Sequence, residues 1–183
     1  MRKLVISEWI TLDGVFDAEL MAQWFMPYDS PSRQDIIKEG ILSCDAILFG
    51  RKTYEMLAPY WSKLNNNEMG VADKLNKVAK YVVSKTLQEA AWQNTTIISG
   101  DVIAEVKKLK EQAGREIQIE GSAELVQSLL AAGLIDELKF IVHPVIMGAG
   151  KRFFKDGKTP AGLQLVETKV LDKGVMVLTY AKG

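Results

Sequence analysis

Short β-branched runs alternate with stretches of helical spacing along most of this 183-residue chain. The runs Leu4 to Ile10, Ala46 to Phe49, Tyr81 to Val83, Thr95 to Ile98, Ile117 to Ile119 and Leu138 to Val142 each have the length and composition of a strand. Between them apolar residues recur at helical intervals. Ile36, Ile37, Ile41 and Leu42 follow Ser32, expected to cap that helix with Asp35 three residues on. Val102, Ile103, Val106 and Leu109 follow Asp101 in the same way. Leu125, Val126, Leu129 and Leu130 follow Ser122, and Gly133 closes that helix. The Lys and Glu residues from 105 to 111 read as a solvated helix face. Strands alternating with helices imply a largely parallel sheet covered on both faces. The tail departs from this pattern. Leu163 to Leu171 and Val175 to Tyr180 are separated by Asp172-Lys173-Gly174, the signature of a hairpin. The expected architecture is a three-layer α/β/α fold with a mixed, mostly parallel sheet and an antiparallel C-terminal hairpin.

Length and the absence of a Pro/Gly/Ser-rich linker point to one domain spanning residues 1–183. Lys plus Arg equals Asp plus Glu at 23 each, which argues against a broad phosphate-backbone footprint and so against nucleic acid as partner. Cys44 and His143 are the sole cysteine and histidine, too few for a disulfide or a Cys/His zinc site. No metal is expected. The N-terminal stretch meets Glu8 before any signal-like apolar run forms, and no apolar run approaches the length of a membrane span. A cytoplasmic protein is therefore expected.

Three strands end in glycine directly before a helix: AILFG at Gly50, TTIISG at Gly100 and IQIEG at Gly121. Glycine there permits a sharp turn or a close approach, and the following helix start offers unpaired N–H groups and the positive end of a dipole. In open α/β sheets such strand ends are where ligands bind. At Gly50-Arg51-Lys52-Thr53 two cations and a hydroxyl stand beside those donors, the inventory a phosphate needs. Ser84-Lys85-Thr86 repeats the pairing of hydroxyl and cation at another strand end.

These stretches, with ISEWITLDGVF, DAILFGRKTYE, KYVVSKTL and IQIEGSAELVQSLLAAGLIDELKFIVHPVIMGAGKRFF in that order, resemble the dihydrofolate-reductase-like superfamily. The likeness runs from residue 5 to 180 and is greatest to the reductase domain of bacterial riboflavin biosynthesis and its stand-alone relatives. It implies NADPH as cofactor. By the resemblance Gly50, Arg51, Lys52 and Thr53 contact the cofactor, with Arg51 at the 2′-phosphate and Thr53 at the pyrophosphate. Ser84 and Lys85 flank the adenosine phosphate, and Gly121, Ser122, Ala123 and Glu124 wrap the pyrophosphate. Glu120 stands where many relatives carry a glycine, an awkward charge beside a pyrophosphate unless its side chain turns away.

Asp13-Gly14 matches the LDG turn of the family, where Asp13 is either a substrate ligand and proton relay or a plain turn residue. Trp9, Phe16 and Trp24, with Gly14, are candidates to wall a planar substrate, core packing being the other reading of the aromatics. His143 and Cys44 read as buried structural residues. The resemblance implies a reductase that moves hydride from NADPH to a C=N or C=O bond of a small heterocycle or sugar-linked pyrimidine. The alternative is a nucleotide- or flavin-binding protein of the same fold without turnover. The companion deaminase of the bifunctional riboflavin enzyme is excluded, since the chain has no H-x-E or C-x-x-C motif. A homodimer is expected, with Leu138 to Met147, Phe153 and Phe154 as candidate contact surface.

Overall fold

A computed structural model describes residues 1–155 and 162–183. In chain order the first elements are β1 (Leu4–Thr11), α1 (Met21–Trp24), α2 (Pro31–Ser43), β2 (Cys44–Gly50), α3 (Arg51–Trp61) and α4 (Ala72–Lys77). Then follow β3 (Ala79–Val83), β4 (Thr95–Ile98), α5 (Val102–Glu111), β5 (Glu116–Ile119), α6 (Ala123–Ala131), β6 (Glu137–His143), β7 (Leu163–Val170) and β8 (Met176–Lys182). Every expected strand is present, and the eight form a mixed, mostly parallel sheet. The chain divides into two compact units, one of Met1–Val5 with Lys38–Ile135 and one of Ile6–Ile37 with Asp136–Gly183.

In the first unit β2 pairs in parallel with β3 and β5, and β3 with β4. β2 explains itself: its run is apolar on both faces, as a central parallel strand must be, and Ala46 through Phe49 are essentially inaccessible. Val106 and Leu109 of α5 and Val126 and Leu129 of α6 complete the core. Phe49, Tyr54 and Trp92 form an aromatic cluster, and the Tyr54 hydroxyl accepts a hydrogen bond from the Trp92 N–H at 2.9 Å. Lys80 is buried over Trp92, its ammonium donating to the Leu75 and Val78 carbonyls, and burial pushes its pKa down to about 8. Asp101 caps α5 as expected. The solvated face of α5 is narrower than its sequence suggests. Lys107, Lys108 and Glu111 face water, but Lys110 is buried and donates to the Leu134 carbonyl at 2.6 Å. Its long aliphatic stem lets it pack among apolar neighbours while the head finds a carbonyl.

In the second unit β8 pairs antiparallel with β6 and β7. The hairpin turn falls at Asp172–Gly174, where Lys173 and Gly174 take positive φ of 56° and 74°. Its core gathers Ile141, Val175 and Val177, with Trp9, Tyr28, Ile36, Ile37 and Leu171 packed against them. Two expectations are corrected here. The cap of α2 is Ser30, whose Oγ accepts from the Arg33 N–H at 3.3 Å. Ser32 lies inside the helix and donates to Asp172 at 2.7 Å, because Pro31 already opens the helix one residue earlier. The segment offered for dimer contact is also mostly interior: Leu138, Phe140, Ile141 and Phe153 are buried, leaving Ile146 and Phe154 as its exposed apolar residues.

Candidate functional site

The cofactor candidates all fall in the first unit and the substrate candidates in the second, and each set is described where it lies. β2 ends at Gly50, which precedes α3 without any side chain capping its first turn. Past the end of β5, Gly121 takes φ of 59° and leads into Ser122, the cap of α6, whose Oγ accepts from the Leu125 N–H at 3.4 Å. The Gly121–Ser122 peptide is cis. These two turns touch. The Gly50 N–H donates to the Gly121 carbonyl at 2.8 Å, and a Cβ on Gly50 would sit 2.6 Å from Ser122 Oγ and 2.8 Å from its nitrogen. Only glycine allows this approach. The N-termini of two helices, eleven and nine residues long, therefore open side by side. Their dipoles point to one spot, an arrangement that suits an anion. The third glycine junction differs. Gly100 leads into Asp101, whose own carboxylate fills the α5 terminus by accepting from Ala104 at 3.1 Å.

The side chains around the paired turns are unequally committed. Arg51 bonds Glu55 one helical turn on, at 3.0 Å, with both side chains about two-fifths exposed. Such a pair is weak and exchangeable. Lys52 is exposed, and Thr53 is half-buried in the first turn of α3. The Ser84 hydroxyl accepts from the Thr86 and Leu87 N–H groups at 3.1 and 2.9 Å, so it shapes the turn that presents the exposed Lys85. Ala123 and Glu124 lie in the first turn of α6.

Glu120 is the residue whose role sequence reasoning missed. Along β5 the alternation Ile117, Gln118, Ile119, Glu120 puts the two polar residues on one face. There the Gln118 amide donates to the Glu120 carboxyl at 2.7 Å. Glu120 keeps some accessible surface, yet its carboxyl lies deep enough that burial pushes its pKa up to about 7, against the lowering effect of the Gln118 bond. Burial thus shifts Glu120, the awkward charge beside Gly121, towards its neutral form. Its carboxyl is turned back along β5 to Gln118 and titrates near neutrality. The signal was present in the sequence: an acid following an apolar strand, two residues after a glutamine.

Asp13, in the second unit, has the opposite environment. Its carboxylate accepts from the Thr11 hydroxyl at 2.6 Å and from the Met147 and Gly148 N–H groups at 3.2 and 2.9 Å. The Thr11 bond, aided by the two backbone donors, holds its pKa down at about 2. Arg152 adds a contact to its backbone carbonyl and approaches the carboxylate at 3.8 Å. These bonds favour the ionised form, in which Asp13 accepts hydrogen bonds and the turn role expected of it is filled. It ties the turn after β1 to the segment 147–152. Gly14 supplies the φ of 77° that this turn requires.

The aromatic candidates separate in the same unit. Trp24 is 2% exposed, its indole N–H donates to the Asp17 carbonyl at 3.0 Å, and it packs edge-on against His143. It is a core residue, which corrects its assignment to a substrate wall. Trp9 stacks on Phe25 at 4.7 Å, and Phe16 meets Phe153 edge-on at 5.3 Å; both are half-buried. His143 is inaccessible, with Nδ1–H donating to the Ile10 carbonyl and Nε2 accepting from Arg33. Burial brings its pKa down to about 4, and the ring is a structural element, as expected. Cys44 is inaccessible too, its thiol pushed up to about 12 by burial. Among the described residues no cluster of three or more His, Cys, Asp and Glu is placed to hold a metal ion. No described helix is long and apolar enough to cross a membrane.

A family model for the RibD C-terminal domain matches residues 2–177. The chain belongs to that family. The uncharacterised protein YyaP of Bacillus subtilis (strain 168) is 30% identical over 98% of this chain and 94% of its own length. Among solved structures, a diaminohydroxyphosphoribosylaminopyrimidine deaminase/5-amino-6-(5-phosphoribosylamino)uracil reductase from Thermotoga maritima is similar at a TM-score of 0.70 and 15% identity. All of this chain and 57% of that one are covered. Dihydrofolate reductase from Enterococcus faecalis complexed with NADP(H) gives a TM-score of 0.67 at 16% identity, covering 99% and 96%. The RibD C-terminal fold, related to dihydrofolate reductase, is therefore the fold of this protein, and it is a reductase-type fold.

Proposed function

We propose that this protein is an NADPH-dependent reductase acting on a C=N or C=O bond of a small heterocyclic or sugar-linked pyrimidine. The observation that carries the proposal is the contact of Gly50 with Gly121–Ser122, which opens two helix N-termini side by side. The donor set fits a dinucleotide: backbone N–H groups of Arg51 to Thr53 and of Ala123 for the pyrophosphate, with Arg51 and Lys85 for the phosphate on the adenosine. The solved relative that carries NADP(H) supports this choice of cofactor.

When bound, NADPH supplies the hydride. The chain's own residues supply the rest. Gly50, Thr53 and Ser122 fix the cofactor's position, and the paired dipoles offset its charge. Reduction of a C=N or C=O bond adds hydride to carbon and a proton to the heteroatom, so an acid is needed. Glu120, which directly precedes Gly121 and whose pKa burial raises to about 7, is the group we assign to hold that proton. Trp9, Gly14 and Phe16 remain the substrate-side candidates.

The test is titration with NADPH and NADH by fluorescence quenching, followed by NADPH consumption over candidate substrates including 5-amino-6-(5-phosphoribosylamino)uracil. Tight binding of NADPH with consumption supports the proposal. Binding without consumption of any substrate favours the nucleotide-binding alternative, and failure to bind either cofactor overturns both.

A further inference from the structure

The turn after β1 is tied to the segment after β6 from both sides, and the tie leaves a patch of fixed charge. The Leu12 N–H donates to the Val145 carbonyl, the Phe16 N–H to the Lys151 carbonyl and the Phe153 N–H to the Gly14 carbonyl. Two carboxylates complete it. Asp13 accepts from the Met147 and Gly148 N–H groups. Asp17, itself buried, accepts from the Lys151 N–H at 3.1 Å and the Glu19 N–H at 3.2 Å. Burial works against its charge, yet those bonds hold its pKa below the usual carboxylate range. Both acids are therefore fixed in place and in their ionised form.

The two cations beside the turn are engaged by acids. Lys151 Nζ lies 2.9 Å from Glu19 and 3.4 Å from Asp17. Arg152 donates to the Asp13 carbonyl and lies 3.8 Å from its carboxylate. Three carboxylates thus meet two cations, and the patch is one charge negative. The side chains around it are apolar. Phe16 is half-buried, Leu12 is 64% exposed, and Ile146, next to the residue that Leu12 bonds, is 72% exposed.

Gly14 and Phe16 are the substrate-side candidates of this turn, so the patch sets what charge a substrate can carry there. A phosphate ester carries about −1.5 to −2 near neutrality. It would meet net negative charge, and Lys151 and Arg152 could reach it only by leaving acids that do not move. A neutral ring meets apolar surface instead. We propose, on the reductase reading above, that the substrate is an uncharged heterocycle without a phosphate group, and that Asp13, Asp17 and Glu19 exclude its phosphorylated counterparts. Selection of this kind works by repulsion of the wrong ligand as well as by contact with the right one.

The test compares one pyrimidine in two forms, 5-amino-6-(ribosylamino)uracil and its 5′-phosphate, by equilibrium dialysis against the full chain with NADP+ present. At low salt the unphosphorylated form should bind at least about fivefold more tightly. Added salt should narrow the gap. The Glu19 side chain is 82% exposed, so Glu19→Lys should leave the circular dichroism spectrum unchanged while making the patch one charge positive. That variant should bind the phosphorylated form roughly two- to fivefold more tightly than wild type does and the neutral form equally. Equal or tighter binding of the phosphorylated form by wild type overturns the proposal. So does binding of neither form, and so does a preference that Glu19→Lys leaves untouched. NADPH consumption on the same two compounds is read separately. Turnover that favours the phosphorylated form would overturn this inference and leave the reductase standing, whereas a neutral ligand that binds and is never reduced would count against the reductase alone.

Discussion

Asp13 and Glu120 are both carboxyls beside a glycine near a strand end, and their surroundings drive them apart. Asp13 sits in a turn rich in donors: a hydroxyl and two backbone N–H groups reach it, and its pKa falls to about 2. Glu120 directly follows a buried strand, its carboxyl accepts from the Gln118 amide, and burial lifts it to about 7. Hydrogen bonds to the charged form win in the first place, and desolvation wins in the second. The same side-chain chemistry thus becomes a structural clamp in one unit and a titrating acid in the other.

The sharpest way to break the comparison is to remove each charge and measure turnover. Glu120→Gln keeps the bond from Gln118 but cannot carry a proton, so kcat should fall by about 10²-fold or more. Asp13→Asn should cost less than about tenfold, through looser positioning alone. Wild-type kcat should decline as pH rises above about 7, where Glu120 loses its proton, and Asp13→Asn should keep that break. A profile in which the break disappears with Asp13 and survives in Glu120→Gln would reverse the assignment.

The two helix starts next to Glu120 give a second, smaller effect. Arg51→Ala should weaken NADPH while leaving NADH nearly unchanged, because the 2′-phosphate is the only difference between them. A charge-assisted bond of about 1.5–3 kcal/mol corresponds to roughly 10- to 150-fold. The lower end is expected here, since Arg51 must first leave Glu55. Glu55→Gln should therefore tighten NADPH slightly, and Lys85→Ala should cost less than Arg51→Ala. Added salt should erode the preference. Equal losses for both cofactors in a titration of Arg51→Ala would make that residue structural.

These contrasts also show what was legible in the sequence. The strands were, because β-branched runs bounded by glycine leave few alternatives, and so was the hairpin at Asp172-Lys173-Gly174. The junctions at Gly50 and Gly121 were legible singly, but not their contact, which depends on how β2 and β5 pair. Asp13 was singled out from a local turn motif, while its donors Met147 and Gly148 lie more than 130 residues away. Lys110 looked like its solvated neighbours, and only the placement of the Leu134 carbonyl turns it inward. Trp24 had no local sign of burial. Chemistry that depends on long-range partners is what a single sequence conceals.

Stability against pH carries the comparison to smaller effects. Glu120 binds its proton more tightly in the folded chain than in the unfolded one, whose pKa is near 4.5. The folded state therefore loses stability as pH rises from about 4.5 to 7. Glu120→Gln removes that loss and should gain on the order of 1–3 kcal/mol over wild type at pH 8, in denaturant titrations. The gain should shrink towards pH 5. A variant that loses activity and gains stability would be the signature of a site held against its own folding preference.

Asp13 should show the mirror image, with the smallest effect. Its pKa is depressed from 3.8 to about 2, so its contribution is present above the unfolded value and is lost as pH falls through the folded one. Wild type should lose stability between about pH 4 and pH 2 as the bonds from Thr11, Gly148 and Met147 meet a protonated acid. Asp13→Asn should already lack that contribution at pH 7 and change less over the same acid range. The two stability curves should therefore converge as pH falls, while the curves for wild type and Glu120→Gln diverge as pH rises. Urea titrations at pH 3, 5 and 8 on the three proteins suffice. Parallel curves for wild type and Asp13→Asn below pH 4 would mean that the turn after β1 does not depend on the Asp13 charge, and the contrast between the two carboxyls would reduce to Glu120 alone.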